Sequence, residues 1–204
     1  MKAFYRITFD SDMYCGFTDE FIQYKEEVDG KTALSMECLW AIYPVAKYCL
    51  KKPGIFMECG VDRGGSARFL HRIIEGKKEL HLFDTFSGMP ETTEIDFHKK
   101  GDFPGGNLKE VKAFVGGGIF HPGRIPETFP DVESIAFAHV DCDLYSSTKA
   151  CCEFIFPRLS GIMVFDDYGR RTTMGVRKAV DEYFDGTDAL TLANLTTGQL
   201  VVMK

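Results

Sequence analysis

The chain has 204 residues, which at roughly 100 to 200 residues per domain predicts one compact domain over 1–204. Forty-five per cent apolar residues, 26% charged residues and 18 phenylalanines supply a sizeable core, excluding a disordered chain and a disulfide-held miniprotein. Lys+Arg 24 against Asp+Glu 30 leaves a formal charge of −6 with no basic run to coat a phosphate backbone, so no nucleic-acid partner is expected.

Residues 1–31 carry scattered aromatics (Phe4, Tyr5, Phe9, Tyr14, Phe17, Phe21, Tyr24) without a sustained period. That reads as an irregular, lid-like segment, able also to pack against a partner subunit in a homo-oligomer. The first twelve residues hold acids where a signal peptide has an apolar block, and no stretch approaches the roughly 18 apolar residues of a membrane span. The expectation is a cytoplasmic protein with no membrane partner.

Leu34, Leu39, Ile42, Tyr43, Ala46 and Leu50 approximate helical spacing, which predicts a helix over 32–50 stopped by Pro53-Gly54. Ile55-Phe56-Met57-Glu58-Cys59 then reads as a buried strand, followed by a glycine-rich turn and a helix over 66–74. The unit recurs: strand 80–83, helix 108–115, strand 135–140, helix 147–156, strand 162–165, helix 174–184. Such alternation implies parallel strands with right-handed crossovers. At the end, 189–195 and 199–203 flank Thr196-Thr197-Gly198 as strand, turn, strand. The fold class is therefore α/β, a doubly wound, Rossmann-like and mostly parallel sheet with a C-terminal antiparallel hairpin. The irregular stretch 87–107, with Pro90, Pro104 and several glycines, is expected to border the site. The seven cysteines are odd in number, and Cys38, Cys49, Cys59, Cys151 and Cys152 lie in apolar runs, as core thiols do. Metal or redox duty is not expected of the adjacent pair Cys151 and Cys152.

In open parallel sheets ligands bind beyond the carboxyl ends of the strands, and here nearly every strand ends in acid. The first ends Glu58-Cys59-Gly60-Val61-Asp62-Arg63-Gly64-Gly65-Ser66, close to a dinucleotide fingerprint but with Asp62 in the middle glycine place. A carboxylate there opposes a pyrophosphate, so NAD is the minority reading. S-adenosylmethionine suits the loop better. Glu58 can take its ammonium, while the Gly64-Gly65-Ser66 amides and the Ser66 hydroxyl can hold its carboxylate; the alternative is a glycine turn with Glu58 paired to Arg63. Asp84, 24 residues beyond Gly60, stands where an acid accepts from a ribose diol, or it caps a helix.

Two acid clusters end neighbouring strands: Asp141-Cys142-Asp143 and Asp166-Asp167. At a strand spacing of about 4.8 Å these carboxylates converge and repel unless a hard divalent cation sits among them. Oxygen-only ligands favour magnesium, manganese or calcium over zinc. The competing reading has two of the acids capping helices and the others pairing with Arg170, Arg171 or Lys149. His139 precedes the acids in a buried strand and reads first as a hydrogen-bonded core histidine.

Taken in order, the motifs resemble the macrocin O-methyltransferase family, which methylates sugar hydroxyls in macrolide biosynthesis. The matching blocks are Glu58-Cys59-Gly60-Val61 with Arg63-Gly64-Gly65-Ser66, Phe83-Asp84-Thr85-Phe86-Ser87-Gly88-Met89-Pro90, Gly123-Arg124-Ile125-Pro126-Glu127-Thr128, Asp141-Cys142-Asp143-Leu144-Tyr145 and Asp166-Asp167-Tyr168-Gly169. Asp62 and Cys142 depart from the family pattern. The resemblance implies a class I methyltransferase fold with 32–204 as catalytic core. It implies S-adenosyl-L-methionine as donor along Glu58, Gly60, Gly64, Ser66, Asp84 and Thr85, and Mg2+ or Mn2+ on Asp141, Asp166 and Asp167. The expected acceptor is a small molecule with vicinal hydroxyls, foremost a sugar, with Asp141 as proton acceptor and His139 and Asp143 as weaker candidates. A catechol-like diol is the alternative acceptor. From other classes, a nicotinamide-dependent oxidoreductase and a non-catalytic S-adenosylmethionine binder stay open.

Overall fold

The computed structural model describes residues 17–204. Its strands are β1 (Ile55–Cys59), β2 (Leu80–Asp84), β3 (Ile119–Pro122), β4 (Ile135–Val140), β5 (Leu159–Phe165), β6 (Leu190–Ala193) and β7 (Leu200–Met203), in one sheet ordered β3-β2-β1-β4-β5-β7-β6. Strands β1 to β5 pair in parallel, and β7 runs antiparallel to both β5 and β6. This is the expected α/β sheet with its terminal hairpin. The helices are α1 (Asp19–Glu27), α2 (Met36–Cys49), α3 (Gly65–Ile74), α4 (Leu108–Val115), α5 (Tyr145–Arg158) and α6 (Met174–Phe184). Among the described residues none is long and apolar enough to cross a membrane.

Side chains alternate across the sheet and build two cores. Phe56, Leu82, Phe137 and Val164 enter the layer shared with α1, α2 and α3; Met57, Phe83, Ala138 and Met163 enter the layer shared with α5 and α6. Both faces of the central strands are therefore buried, which is why they read as continuous apolar runs.

Three differences from the expected elements have local causes. The stretch expected to be irregular contains α1. Phe17, Phe21, Tyr24 and Val28 fall at i, i+4, i+7 and i+11, and Phe21 and Tyr24 pack their rings edge-on to Phe69 of α3. Thr18 caps this helix by accepting from the Phe21 amide at 3.2 Å. The earlier part of that segment, 1–16, lies outside the described residues. Helix α2 begins at Met36 instead of residue 32, because Ser35 caps it by accepting from the Cys38 amide. Strand β3 was not foreseen: four residues with no fully buried side chain and a terminal proline carry almost no pattern, yet pairing with β2 orders them.

The same ladders carry chain past the strand ends. The Gly60 amide donates to the Phe83 carbonyl, the Asp141 amide to the Cys59 carbonyl at 2.7 Å, and the Asp166 amide to the Val140 carbonyl at 3.0 Å. Gly60, Asp141 and Asp166 are thereby fixed side by side along one edge of the sheet.

Candidate active site

Beyond that edge lies a cavity of about 300 Å³, walled by the ends of β1, β2, β4 and β5, by Lys31-Thr32 ahead of α2 and by the loop 87–107. The loop contributes Met89, Pro90, His98 and Phe103, so it does border the site. Six carboxylates (Asp62, Asp84, Asp141, Asp143, Asp166, Asp167) face the cations Lys31 and Arg170. The wall is markedly acidic.

On the β1 side the turn is held by its acid neighbour. Gly60 adopts φ +95°, and a Cβ there would stand 1.9 Å from the Asp141 carbonyl oxygen, so only glycine fits. Asp84 accepts from the Val61 and Asp62 amides at 2.8 and 2.9 Å through one oxygen, and from the Phe86 amide at 2.7 Å through the other. It ties the β1 turn to β2 while still facing the cavity, rather than capping a helix. Thr85 donates to the Gly88 carbonyl and accepts from the Ser87 amide, shaping the start of the loop.

Two expected donor contacts are differently disposed. Glu58 is fully buried and does not line the cavity; its Oε1 meets His139 Nδ1 at 3.0 Å, across a direct β1–β4 register pair. Its Oε1 is taken by the histidine while its Oε2 has no hydrogen-bond partner, and it is not paired with Arg63, which instead meets Asp62. The amides of Gly64 and Gly65 donate to the carbonyls of Val61 and Lys31. Gly64, at φ +87° and against Val111 and Val115, is required by backbone geometry outside the cavity wall, whereas Ser66 faces the cavity.

His139 is likewise wholly buried, with Nε2 at 3.8 Å from Asp166 Oδ1. Burial lowers its pKa, but the carboxylates of Asp166 and Glu58 outweigh that and hold it well above the usual histidine range. Wholly buried and absent from the cavity wall, His139 is placed as a hydrogen-bonded core residue, away from the position that the alternative role of base requires. Replacing His139 by Leu strands Glu58 and is expected to cost about 3–5 kcal/mol in urea unfolding. The double change His139→Leu with Glu58→Met should recover most of that loss. A single-variant cost below about 1 kcal/mol would show that no charge is left unpaired.

The acid cluster depends on a strained turn. Asp143 has φ +61°, and the Leu144 amide donates to the Cys142 carbonyl at 2.7 Å, closing a γ-turn about Asp143. Carboxylate oxygens of Asp141, Asp143 and Asp167 consequently lie within 4.8 Å of one another. Burial, followed by the charges of Asp166 and Asp167, raises Asp141 well above the usual carboxylate range; burial, followed by the hydrogen bond to Asp167, pushes Asp143 up to about 9. The expected third member, Asp166, lines the cavity but is not among these converging oxygens. Its Oδ1 accepts from Gln199 Nε2 at 2.7 Å, and its Oδ2 lies 3.8 Å from Arg170. Arg170 also reaches Asp167 Oδ1 at 2.6 Å, so the anticipated ion pair forms on one side of the cluster.

Two residues escaped the sequence reading. Gln199, wholly buried at the start of the last strand, holds Asp166 from the C-terminal hairpin. Asp96, from the 87–107 loop, accepts from the Tyr145 amide at 2.8 Å and so caps α5, whose own N-cap Leu144 has no capping side chain. A buried glutamine in an otherwise apolar strand start was a signal for the first; nothing in the loop announced the second.

Residues 57–168, which run from within β1 through β5 and take in both acid clusters, match the family described as a methyltransferase domain. The chain belongs to this family. The methyltransferase domain is 30% identical over 166 residues to the 8-demethyl-8-(2,3-dimethoxy-alpha-L-rhamnosyl)-tetracenomycin-C 4'-O-methyltransferase of Streptomyces olivaceus, covering 67% of this chain and 62% of that protein. It is 28% identical over 158 residues to the mycinamicin III 3''-O-methyltransferase of Micromonospora griseorubida, covering 65% and 61%. The chain thus spans less than two thirds of the length of these curated relatives. Among solved structures, the O-methyltransferase NovP aligns with a TM-score of 0.76 at 20% identity, over 89% of this chain and 87% of that one, and shows the same fold.

Proposed function

We propose that this methyltransferase domain transfers the methyl group of S-adenosylmethionine to a hydroxyl of a sugar-bearing small molecule. The observation that carries the reading is the acidic cavity at the ends of β1, β2, β4 and β5, six carboxylates against two cations. A sulfonium donor that also bears an ammonium suits that wall, whereas the pyrophosphate of a nicotinamide dinucleotide opposes it. Asp84 stands at the end of β2 for the ribose hydroxyls, and Ser66 at the start of α3 for the donor carboxylate. The name of the tetracenomycin relative, an O-methyltransferase of a rhamnosyl-bearing compound, supports the acceptor class.

A divalent metal fits the second half of the wall, because three converging carboxylates, two with strongly raised pKa, lack sufficient positive charge. Asp141 and Asp167 belong both to the trio expected from the motifs and to the trio whose oxygens converge; Asp143 supplies the third oxygen while Asp166 is held by Gln199. Magnesium or manganese there would stabilise the alkoxide developing on an acceptor hydroxyl. The chain itself orients: Asp141 and the γ-turn residue Asp143 line the cavity, and a carboxylate oxygen of Asp141 that does not face the metal can accept the hydroxyl proton. Methyl transfer then requires collinear reactants at close approach.

Calorimetric titration with S-adenosylhomocysteine, with NAD as comparison, tests the donor. Micromolar binding of the nucleoside alone is expected; binding of NAD alone overturns the reading. Asp84→Asn turns an amide group toward the Val61 and Asp62 donors, and should weaken S-adenosylhomocysteine by about tenfold or more while costing roughly 1–3 kcal/mol of stability. Unchanged affinity in that variant would remove Asp84 from the donor site.

A further inference from the structure

We propose that Cys142 and Cys151 form an oxidisable dithiol in the wall of the cavity, a modification site that closes to a disulfide and disables the acid cluster. Cys142 lies between Asp141 and Asp143 and lines the cavity; among the described residues it is the one cysteine that is not buried. Its Sγ lies 3.9 Å from Sγ of Cys151, in the second turn of α5. The pair is nine residues apart in sequence, so the intervening γ-turn and first helical turn bring them together. A disulfide needs about 2.0 Å between the sulfurs, so one side chain must advance by roughly 1.9 Å. Cys151 is fixed inside a helix and fully buried, whereas Cys142 occupies the turn; the movement falls on Cys142 and drags the carboxylates on either side of it.

The oxidant is a peroxide that reaches Cys142 through the cavity. The Cys142 sulfur attacks one peroxide oxygen, the O–O bond breaks and water leaves, giving a sulfenic acid whose sulfur has lost two electrons to the peroxide. The Cys151 sulfur then attacks the Cys142 sulfur and the S–O bond breaks. The departing hydroxide takes the Cys151 proton as a second water. A resolving thiol this close diverts Cys142 from irreversible overoxidation. Formation of the bond stands on this geometry alone; its effect on donor and metal rests on the methyltransferase reading.

The test treats the reduced full chain with limiting hydrogen peroxide, blocks remaining thiols and digests with trypsin, which cuts at Lys149 between the two cysteines. A disulfide-linked pair of peptides carrying Cys142 and Cys151 is expected in the wild type. It should be absent in Cys142→Ser and in Cys151→Ser, the second variant also discriminating Cys151 from its neighbour Cys152. A Cys142 that stays reduced, passes to sulfinic acid unlinked, or still links in Cys151→Ser overturns the proposal. Saturating S-adenosylhomocysteine, shown by calorimetry to bind the reduced protein, should suppress linkage; a bound nucleoside that gives no protection overturns access through the cavity. Failure of the nucleoside to bind at all instead removes the donor reading, and the linked peptide alone then decides the dithiol. In the oxidised protein Mn2+ affinity is expected to fall about 10- to 100-fold and to return with dithiothreitol. Undiminished affinity, in protein whose reduced form binds Mn2+, overturns the disabling effect.

Discussion

Asp141→Asn is expected to reduce turnover about a thousandfold while leaving S-adenosylhomocysteine affinity nearly unchanged. A metal that stabilises a developing alkoxide contributes several kcal/mol to the transition state, and each 1.36 kcal/mol is about tenfold in rate. Asp141 is a member of every trio the site can form, its backbone is locked to Cys59, and its own charge is opposed by Asp166 and Asp167, so amidation removes a ligand without loosening the fold. The checks are single-turnover kinetics with the acceptor and manganese binding followed by electron paramagnetic resonance. Parallel loss of donor affinity would contradict the division of the cavity into a donor half and an acid half. The third ligand is resolved by comparing Asp143→Asn with Asp166→Asn: the converging oxygens predict the larger loss of manganese affinity for Asp143.

Among the described residues, Gly60→Ala is expected to be the most damaging of the glycine-to-alanine changes, since its added Cβ makes the shortest contact. Alanine at φ +95° costs about 1–2 kcal/mol in backbone strain alone. Its Cβ would overlap the Asp141 carbonyl oxygen at 1.9 Å, and that carbonyl cannot retreat without breaking the 2.7 Å bond from the Asp141 amide to Cys59. A total loss of more than about 4 kcal/mol follows, in the range reserved for special backbone sites. Urea unfolding measures it, and any folded fraction should have lost S-adenosylhomocysteine binding, since the turn that Asp84 holds would have shifted. A stable variant with normal nucleoside binding would mean that the close approach of the β1 turn to β4 is dispensable. Gly30 is the control, because a Cβ there meets nothing within 4 Å despite its positive φ, so its alanine variant carries strain without overlap.

The central strands and most helices were legible in the sequence because burial on both faces leaves mostly apolar runs such as Ile55–Cys59 and Ile135–Val140, interrupted only by Glu58 and His139 and bounded by turns. The terminal hairpin was legible because its turn residues differ from its strands. The same reasoning located the cavity, since a parallel sheet brings its carboxyl ends together wherever the chain supplies acids. Helix α1 and strand β3 were not legible: each is short, and each is stabilised by what it packs on, Phe69 for one and β2 for the other. Which acid does what was decided by contacts between distant residues. Glu58 and His139 are 81 positions apart, yet the β1–β4 register makes them neighbours and buries one Glu58 oxygen against the histidine ring. Asp143 stands beside Asp141 because a γ-turn rotates it there, and Asp166, outside the converging trio, accepts from Gln199, 33 residues later and just ahead of a strand that returns antiparallel. Composition and periodicity determine which segments must be buried, because hydrophobic burial is additive and local in sequence. The direction in which a polar side chain finally points depends on the partner that satisfies it, and only the folded sheet brings that partner within reach.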